Sequence, residues 1–403
     1  MSITPGSASK RHRVLIVGGG TAGITVAARL RRAGVTDIAL LDPSDVHWYQ
    51  PLWTLVGGGQ AEIGGTRRPE AAVIPGGVRW IKDAAVSVDP DVQTVTTGNG
   101  TEIGYDFLVM AAGIQLDWQA VPGLAGTLGR DGVSSNYSPE LAPRTWDFIR
   151  GLRSGTAVFT QPSGPFKCGG APQKIAYLAA DHWRKQGRLD RIRIVQVIPD
   201  QVIFKAPDWA RVLTGVAARY GIEVRLGSEL AGVDPDRREV TITSGGGKQT
   251  LGYDLLHSVP PQSSPDWVKT SPLADAASPF GYVHVDKHTL AHPRYPNVFA
   301  LGDVANLPTS KTGAAVRKQA PVVVENLLAT AKGRTPTARY DGYTSCPLVT
   351  ARDKMLLAEF DYDLRPTPSF PLIDTLKERR DMWLLKRYGL PAMYWHGMLK
   401  GRA

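Results

Sequence analysis

Cysteine is the scarcest informative residue here: the 403-residue chain holds two, Cys168 and Cys346. Two thiols cannot supply the disulfide framework of a small secreted domain. No apolar run approaches the 18 or more residues of a spanning helix. The first dozen residues are polar and contain no apolar signal region, so the cytosol is the expected compartment. A structural disulfide is disfavoured there, whereas a catalytic one is allowed. Eight histidines are present, and none stands at a metal-ligand spacing to cysteine or carboxylate, so no metal is expected. His182 and His257 fall in helix and strand contexts and read as structural. The net charge is +10, yet the aromatic–basic signatures of RNA binders are missing, which sets nucleic acid aside.

What is present begins with glycine. Arg13 to Gly18 reads as a buried strand and leads into Gly18-Gly19-Gly20-Thr21-Ala22-Gly23. A helix follows over Ile24 to Arg32, then a strand over Asp37 to Leu41 that ends in Asp42. Strand, glycine turn, helix, strand and acid form the context that a dinucleotide fingerprint requires. Asp42 lies 19 residues after Gly23, where a carboxylate binds a ribose hydroxyl. Gly18, Gly20, Thr21 and Gly23 are therefore candidate cofactor contacts.

The chain repeats itself loosely. Val88-Asp89-Pro90-Asp91 precedes Gly104-Tyr105-Asp106, and Val233-Asp234-Pro235-Asp236 precedes Gly252-Tyr253-Asp254. This ordered pair points to a duplicated module, with the second copy inserted into the first. The second copy has a strand over Thr156 to Thr160, a helix over Gln173 to Gln186 and a strand over Ile192 to Ile198. Between its first strand and its helix, Pro162-Ser163-Gly164-Pro165-Phe166-Lys167-Cys168 stands where a second fingerprint would be. Proline and phenylalanine block the backbone approach that a pyrophosphate needs. That loop reads as given over to thiol chemistry. Downstream, Asn297 to Leu301 is a short strand ending in Gly302-Asp303, and a helix follows over Gly313 to Leu328. Such a carboxylate suits ribitol hydroxyls, and the helix N-terminus suits negative charge. Residues 329–345 read as a linker.

The expected fold is α/β, with two Rossmann-like dinucleotide-binding modules and a C-terminal membrane-interface region. The boundaries are 11–150 for the first part of the cofactor module, 151–275 for the inserted module, 276–330 for the second part and 331–403 for the C-terminal region.

Four stretches together carry a resemblance. They are Tyr49-Gln50-Pro51-Leu52-Trp53; Phe166-Lys167-Cys168 through Lys174; Leu301-Gly302-Asp303 through Lys311-Thr312; and Thr344-Ser345-Cys346-Pro347-Leu348 through Tyr362. In these the chain resembles the sulfide:quinone oxidoreductases, a branch of the two-dinucleotide-binding flavoproteins, and looks closest to the two-cysteine subgroup that includes the mitochondrial enzyme. The resemblance implies non-covalent FAD held by Gly20, Thr21, Asp42, Gln50, Pro51, Ala85, Gly113, Gly302, Asp303, Lys311, Thr312, Gly313 and Ala314. It implies Cys168 and Cys346 as the redox pair, hydrogen sulfide and a membrane quinone as substrates, and a small sulfur acceptor (thiol, sulfite or sulfide).

Residue chemistry separates the two thiols. Cys168 has Lys167 beside it, Lys174 one turn on and a helix N-terminus ahead, all of which lower a thiol pKa. Cys346 has no adjacent cation. Cys168 is therefore expected as the flavin-facing thiolate and Cys346 as the persulfide carrier, a split that the family also suggests. From Leu376 onward there are seven basic residues against two acids, interleaved with Trp383, Leu384, Tyr388, Tyr394 and Trp395. That composition fits an interfacial helix on an anionic membrane surface. The expected location is the cytoplasmic face of a bacterial inner membrane, or the mitochondrial inner membrane in a eukaryote. Alternatives are an NADH:quinone oxidoreductase, a sulfide dehydrogenase with a cytochrome partner, and a non-catalytic persulfide sensor.

Overall fold

A computed structural model describes residues 10–403; the expectation about a signal region falls partly on residues 1–9, outside the described chain. β1 (Lys10–Val17) lies inside a largely parallel sheet, flanked by β2 (Ile38–Leu41) and β3 (Glu102–Met110). Val14 to Val17 and Ile38 to Leu41 are buried throughout. Unbroken apolar runs are what strands covered on both faces require. Between β1 and β2 runs α1 (Thr21–Arg32). The entry turn admits only glycine at two points. Gly18 takes φ +107°, and a Cβ on Gly23 would sit 1.8 Å from the Gly18 carbonyl oxygen.

A second parallel sheet runs in the order Val133–Ser134, β6, β4, β5, Glu223–Arg225, where β4 is Gly155–Thr160, β5 is Ile192–Val197 and β6 is Leu255–Ser258. α2 (Ala171–Lys185) follows β4. Thus Val133 and Ser134 already pair in the second sheet, ahead of the expected boundary at 151. A three-stranded antiparallel meander over residues 228–252 follows. The chain then returns: β7 (Val298–Ala300) pairs with β3 of the first sheet. α3 (Gly313–Thr330) lies beside α1. One module is inserted in the other, as the α/β reading anticipates.

Two C-terminal readings need correction. Residues 329–345 are not a free linker, because α3 continues to Thr330 and both Tyr340 and Tyr343 are buried. The Tyr340 hydroxyl donates to the Tyr343 carbonyl. β8 (Thr344–Ala351) and β9 (Lys354–Phe360) then form a hairpin that packs on α2. The tail comprises α4 (Arg380–Leu384), a π-turn over Leu385–Gly389, α5 (Leu390–His396) and a terminal 3-10 turn. Tyr394 and Trp395, expected on a lipid-facing side, belong to the main hydrophobic core with Met382 and Leu399. The outward apolar residues are Leu384, Tyr388 and Met393. The aromatic rings find better burial against Tyr49 and His47 than at a surface.

Candidate active site

The fingerprint loop is shaped for a dinucleotide. A Cβ on Gly20 would meet nothing within 4 Å, so the backbone there lies open. α1 has no side-chain cap, which leaves its first N–H groups aimed at the same opening. The Asp42 carboxylate accepts from the Gly19 N–H at 2.6 Å and from the Ser44 N–H at 2.8 Å. Glu70 is buried beside Gly19, and its Oε1 has no partner. Burial raises its pKa, opposed by His47. Ala85 lies farther along, paired with Thr97 in the strand Ala85–Asp89; Trp80 instead reaches Asp42, its indole N–H donating to the Asp42 carbonyl at 2.9 Å.

The other end of the cleft forms where β7 meets α3. Gly302, at φ +72°, donates its N–H to Gln319 at 2.9 Å. Asp303 is half-buried, and burial raises its pKa against the pull of Lys311 and Lys167. The Lys311 ammonium donates to the Asp303 and Ala305 carbonyls at 2.6 and 2.9 Å and sits 3.7 Å from the centre of the Tyr282 ring. Burial lowers its pKa to about 8. Thr312 caps α3 by accepting from the Ala315 N–H, and its hydroxyl also pairs with Thr344 at the start of β8. Gly313 and Ala314 open α3 half-buried, and a Cβ on Gly113, at φ +74°, would meet nothing within 4 Å. A bare glycine loop, an uncapped helix and a partnerless buried carboxylate oxygen fit a flavin dinucleotide.

The Cys168 loop docks on this cleft. The Cys168 N–H donates to the Lys311 carbonyl at 2.9 Å, which joins the inserted module to the segment before α3. Tyr137 steadies the loop by donating to the Lys167 carbonyl at 2.8 Å, and Lys167 donates to Gln50 at 2.9 Å. Cys168 itself takes φ +54°, a left-handed conformation costing a non-glycine residue about 1–2 kcal/mol. The surrounding bonds hold that turn in place.

The two cysteines meet. β8 carries Cys346 into the interior, paired with Ala358 of β9, while Cys168 is half-buried. Both are free thiols, Cys168 packs against the buried cluster that holds Cys346, and each thiol acts on the other's acidity. The contact with Cys346 and the Lys174 ammonium, 3.1 Å from the Cys168 sulfur, hold the Cys168 thiol well below its ordinary range against the opposing effect of burial. The same contact, together with burial, pushes the Cys346 thiol well above its range. Cys346 has no cation adjacent in sequence, but Lys174 lies close enough in space to oppose that rise.

Sequence reasoning missed one residue of this cluster. Lys386 reads as one of the tail's surface cations, yet it is 2 % exposed. Its ammonium donates to the Pro51 carbonyl at 2.7 Å. Burial and the charge of Lys174 bring its pKa down to about 7, opposed by the two cysteines. No sequence signal separates it from Arg387 beside it. Gln50, Pro51, Lys167, Cys168, Lys174, Asp303, Lys311, Cys346 and Lys386 thus form one neighbourhood of two unequal thiols under several cations. Such a pair can exchange with sulfur nucleophiles.

Comparison with known proteins places this geometry in a family. The pyridine nucleotide-disulphide oxidoreductase family matches residues 12–321. A mitochondrial sulfide:quinone oxidoreductase of mouse (Mus musculus) is 42% identical over 399 residues, covering 98% of this chain and 88% of the relative. The enzyme of the same name from Dictyostelium discoideum is 42% identical over 393 residues, covering 97% and 86%. Among solved structures, the sulfide:quinone oxidoreductase of Aquifex aeolicus superposes with a TM-score of 0.80 at 21% identity, covering 98% and 92%.

Proposed function

The chain belongs to the sulfide:quinone oxidoreductases, within the pyridine nucleotide-disulphide oxidoreductase family, and from that premise we propose how its residues carry out the reaction. It oxidises sulfide, reduces a quinone and binds a flavin. The observation that carries the mechanism is the Cys168–Cys346 contact, with the Lys174 ammonium hydrogen-bonded to the Cys168 sulfur.

In the oxidised enzyme the two sulfurs are joined. Hydrosulfide attacks the Cys346 sulfur; a new sulfur–sulfur bond forms there as the Cys168–Cys346 bond breaks. Cys346 then carries a persulfide, and Cys168 leaves as a thiolate holding the electron pair. The better-stabilised anion is the better leaving group, and Lys174 stabilises Cys168. Cys346 lies wholly inside, which shelters an outer sulfur from water. FAD, when bound, supplies a two-electron acceptor between the thiol pair and the quinone. Gly20 and the start of α1 hold its phosphates, Asp42 a ribose, and Asp303 its ribitol chain. A small sulfur nucleophile takes the outer sulfur and leaves Cys346 as a thiolate; the bridge re-forms as the two thiolates together give up two electrons, which bound FAD would accept and hand to the quinone.

The flavin is non-covalent in this reading, because both cysteines are committed to the redox pair. Acid precipitation should release the yellow colour into the supernatant; flavin kept in the pellet would reject the point. The second module takes no NADH. Its loop N–H at Ser163 and the Ser163 hydroxyl are both bonded to Glu229, a carboxylate where a pyrophosphate would need donors. Attachment to an energy-transducing membrane draws support from the relatives' mitochondrial names, which lend none to the bacterial cytoplasmic side. No helix among the described residues is long and apolar enough to cross a membrane.

The test is turnover of sulfide and quinone by Cys168→Ser and Cys346→Ser. Each should lose it, since neither lone thiol can close the bridge. Cys346→Ser should show a long-wavelength charge-transfer band from a Cys168 thiolate beside the flavin, and Cys168→Ser should show none. A band in the Cys168→Ser protein alone would reverse the two roles.

A further inference from the structure

The terminal 3-10 turn folds back onto the C-terminal end of α1 and leaves a cleft of about 350 Å³ between them. Its lining holds Arg31, Arg32, Lys400 and Arg402, and no acidic side chain. Its apolar part includes the half-buried Ile74 and Pro75. This cleft lies at the far end of α1 from the fingerprint, about 16 Å along a helix of this length. It is separate from the thiol site.

The four cations lack ordinary partners. None takes part in an ion pair among the described residues. Arg31 is held in place by neutral acceptors: its guanidinium donates to the Gly76 carbonyl at 3.1 Å and the Val35 carbonyl at 2.8 Å. The terminal Ala403 carbonyl is engaged by Arg29 instead. Arg32, Lys400 and Arg402 are exposed and free to converge. Charge of one sign gathered around a concave space repels itself unless an anion enters.

We propose that this cleft binds a phosphate group, with an anionic phospholipid headgroup as its source. Guanidinium groups bind phosphate oxygens in pairs, and an ammonium adds a point charge. The apolar wall suits the glycerol and first methylenes of a lipid, which a free phosphate does not possess. The cleft is also built by the tail that carries the outward Leu384, Tyr388 and Met393. A headgroup held here would fix how the protein sits on a bilayer.

The experiment uses the holoenzyme and two measurements. The first is sedimentation with phosphatidylcholine vesicles, with and without phosphatidylglycerol, comparing Arg32→Ser/Arg402→Ser with a control of equal charge change, Arg153→Ser/Lys248→Ser. The cleft pair should weaken binding to phosphatidylglycerol vesicles by about tenfold or more, and the control far less. The second, which needs no variant, is amine acetylation read by mass spectrometry at Lys400. Phosphatidylglycerol vesicles should protect Lys400. Protection by inorganic phosphate to the same degree would assign the site to free phosphate, and protection by vesicles alone to a lipid. Equal losses in both variants, or a Lys400 that neither vesicles nor phosphate protects, would overturn the proposal.

Discussion

At Lys386 burial and charge act together on one side chain. Inside the fold it gives up its proton near pH 7, whereas the unfolded chain holds it to about the ordinary 10.5. Between those values the unfolded state binds more protons, so stability contributed at this residue rises with pH. The cost of burying the charge is whole below about pH 7 and gone above about 10.5. Lys386→Met should therefore raise the melting temperature at neutral pH and lose that advantage in alkali. It should also slow flavin reduction by sulfide, because the cation beside the thiols is gone. A variant equally stabilised at every pH would contradict the burial argument. Lys174 acts on Cys168 directly. Lys174→Met should raise the Cys168 pKa and slow its alkylation by iodoacetamide at mildly acidic pH by about tenfold or more. An unchanged rate would show that the contact with Cys346 alone sets the acidity.

α5 reaches the opposite end of the molecule's chain. The Tyr394 hydroxyl bonds the Thr21 hydroxyl at 2.8 Å and His47 Nε2 at 2.6 Å. His47 in turn lies 3.1 Å from the Gly19 carbonyl and 3.3 Å from Glu70. The last helix thereby props the fingerprint loop. Tyr394→Phe leaves the buried His47 Nε2 without its partner, at about 1–3 kcal/mol, and should loosen flavin retention; equal flavin content after dialysis would count against the strut. The same contacts change what truncation does. Deleting the chain from Leu376 removes core residues and Lys386, so it should cost flavin and fold together rather than membrane attachment alone. The strands, helices and glycine turn around the fingerprint were legible in the sequence because their rules are local: unbroken apolar runs, turn glycines, an acid at a fixed spacing. So were Cys168 and Lys174, whereas Lys167, expected to act on the thiol as well, turns its ammonium to Gln50. The placement of Tyr394, Trp395 and Lys386 was not, because aromatic residues among cations read alike whether they face lipid or core. Tertiary packing alone decides, and here Lys386 lies in the π-turn and is buried.

On the proposed reading, the whole molecule joins a sulfur site inside to a membrane outside. Leu384, Tyr388 and Met393 form the outward apolar surface of the tail, and Leu372 is 99% exposed nearby in sequence. Tyr388→Ser/Met393→Ser should weaken sedimentation with vesicles even at high salt, where charge is screened, and leave sulfide-dependent bleaching intact. Normal binding at high salt would move the membrane face elsewhere. NADH should leave the flavin oxidised over minutes, and rapid bleaching by NADH would restore the second nucleotide site. The central claim is the division of labour between the thiols, and one measurement reaches it most directly. Oxidised holoenzyme is mixed anaerobically with one equivalent of sulfide, bleaching is followed, and the protein is trapped with an alkylating reagent and digested. With no sulfur acceptor present, the account predicts one additional sulfur on the Cys346 peptide, none on the Cys168 peptide, and a long-wavelength charge-transfer band from the Cys168 thiolate in place of bleaching. Additional sulfur on the Cys168 peptide, or bleaching with sulfur on neither, would contradict it.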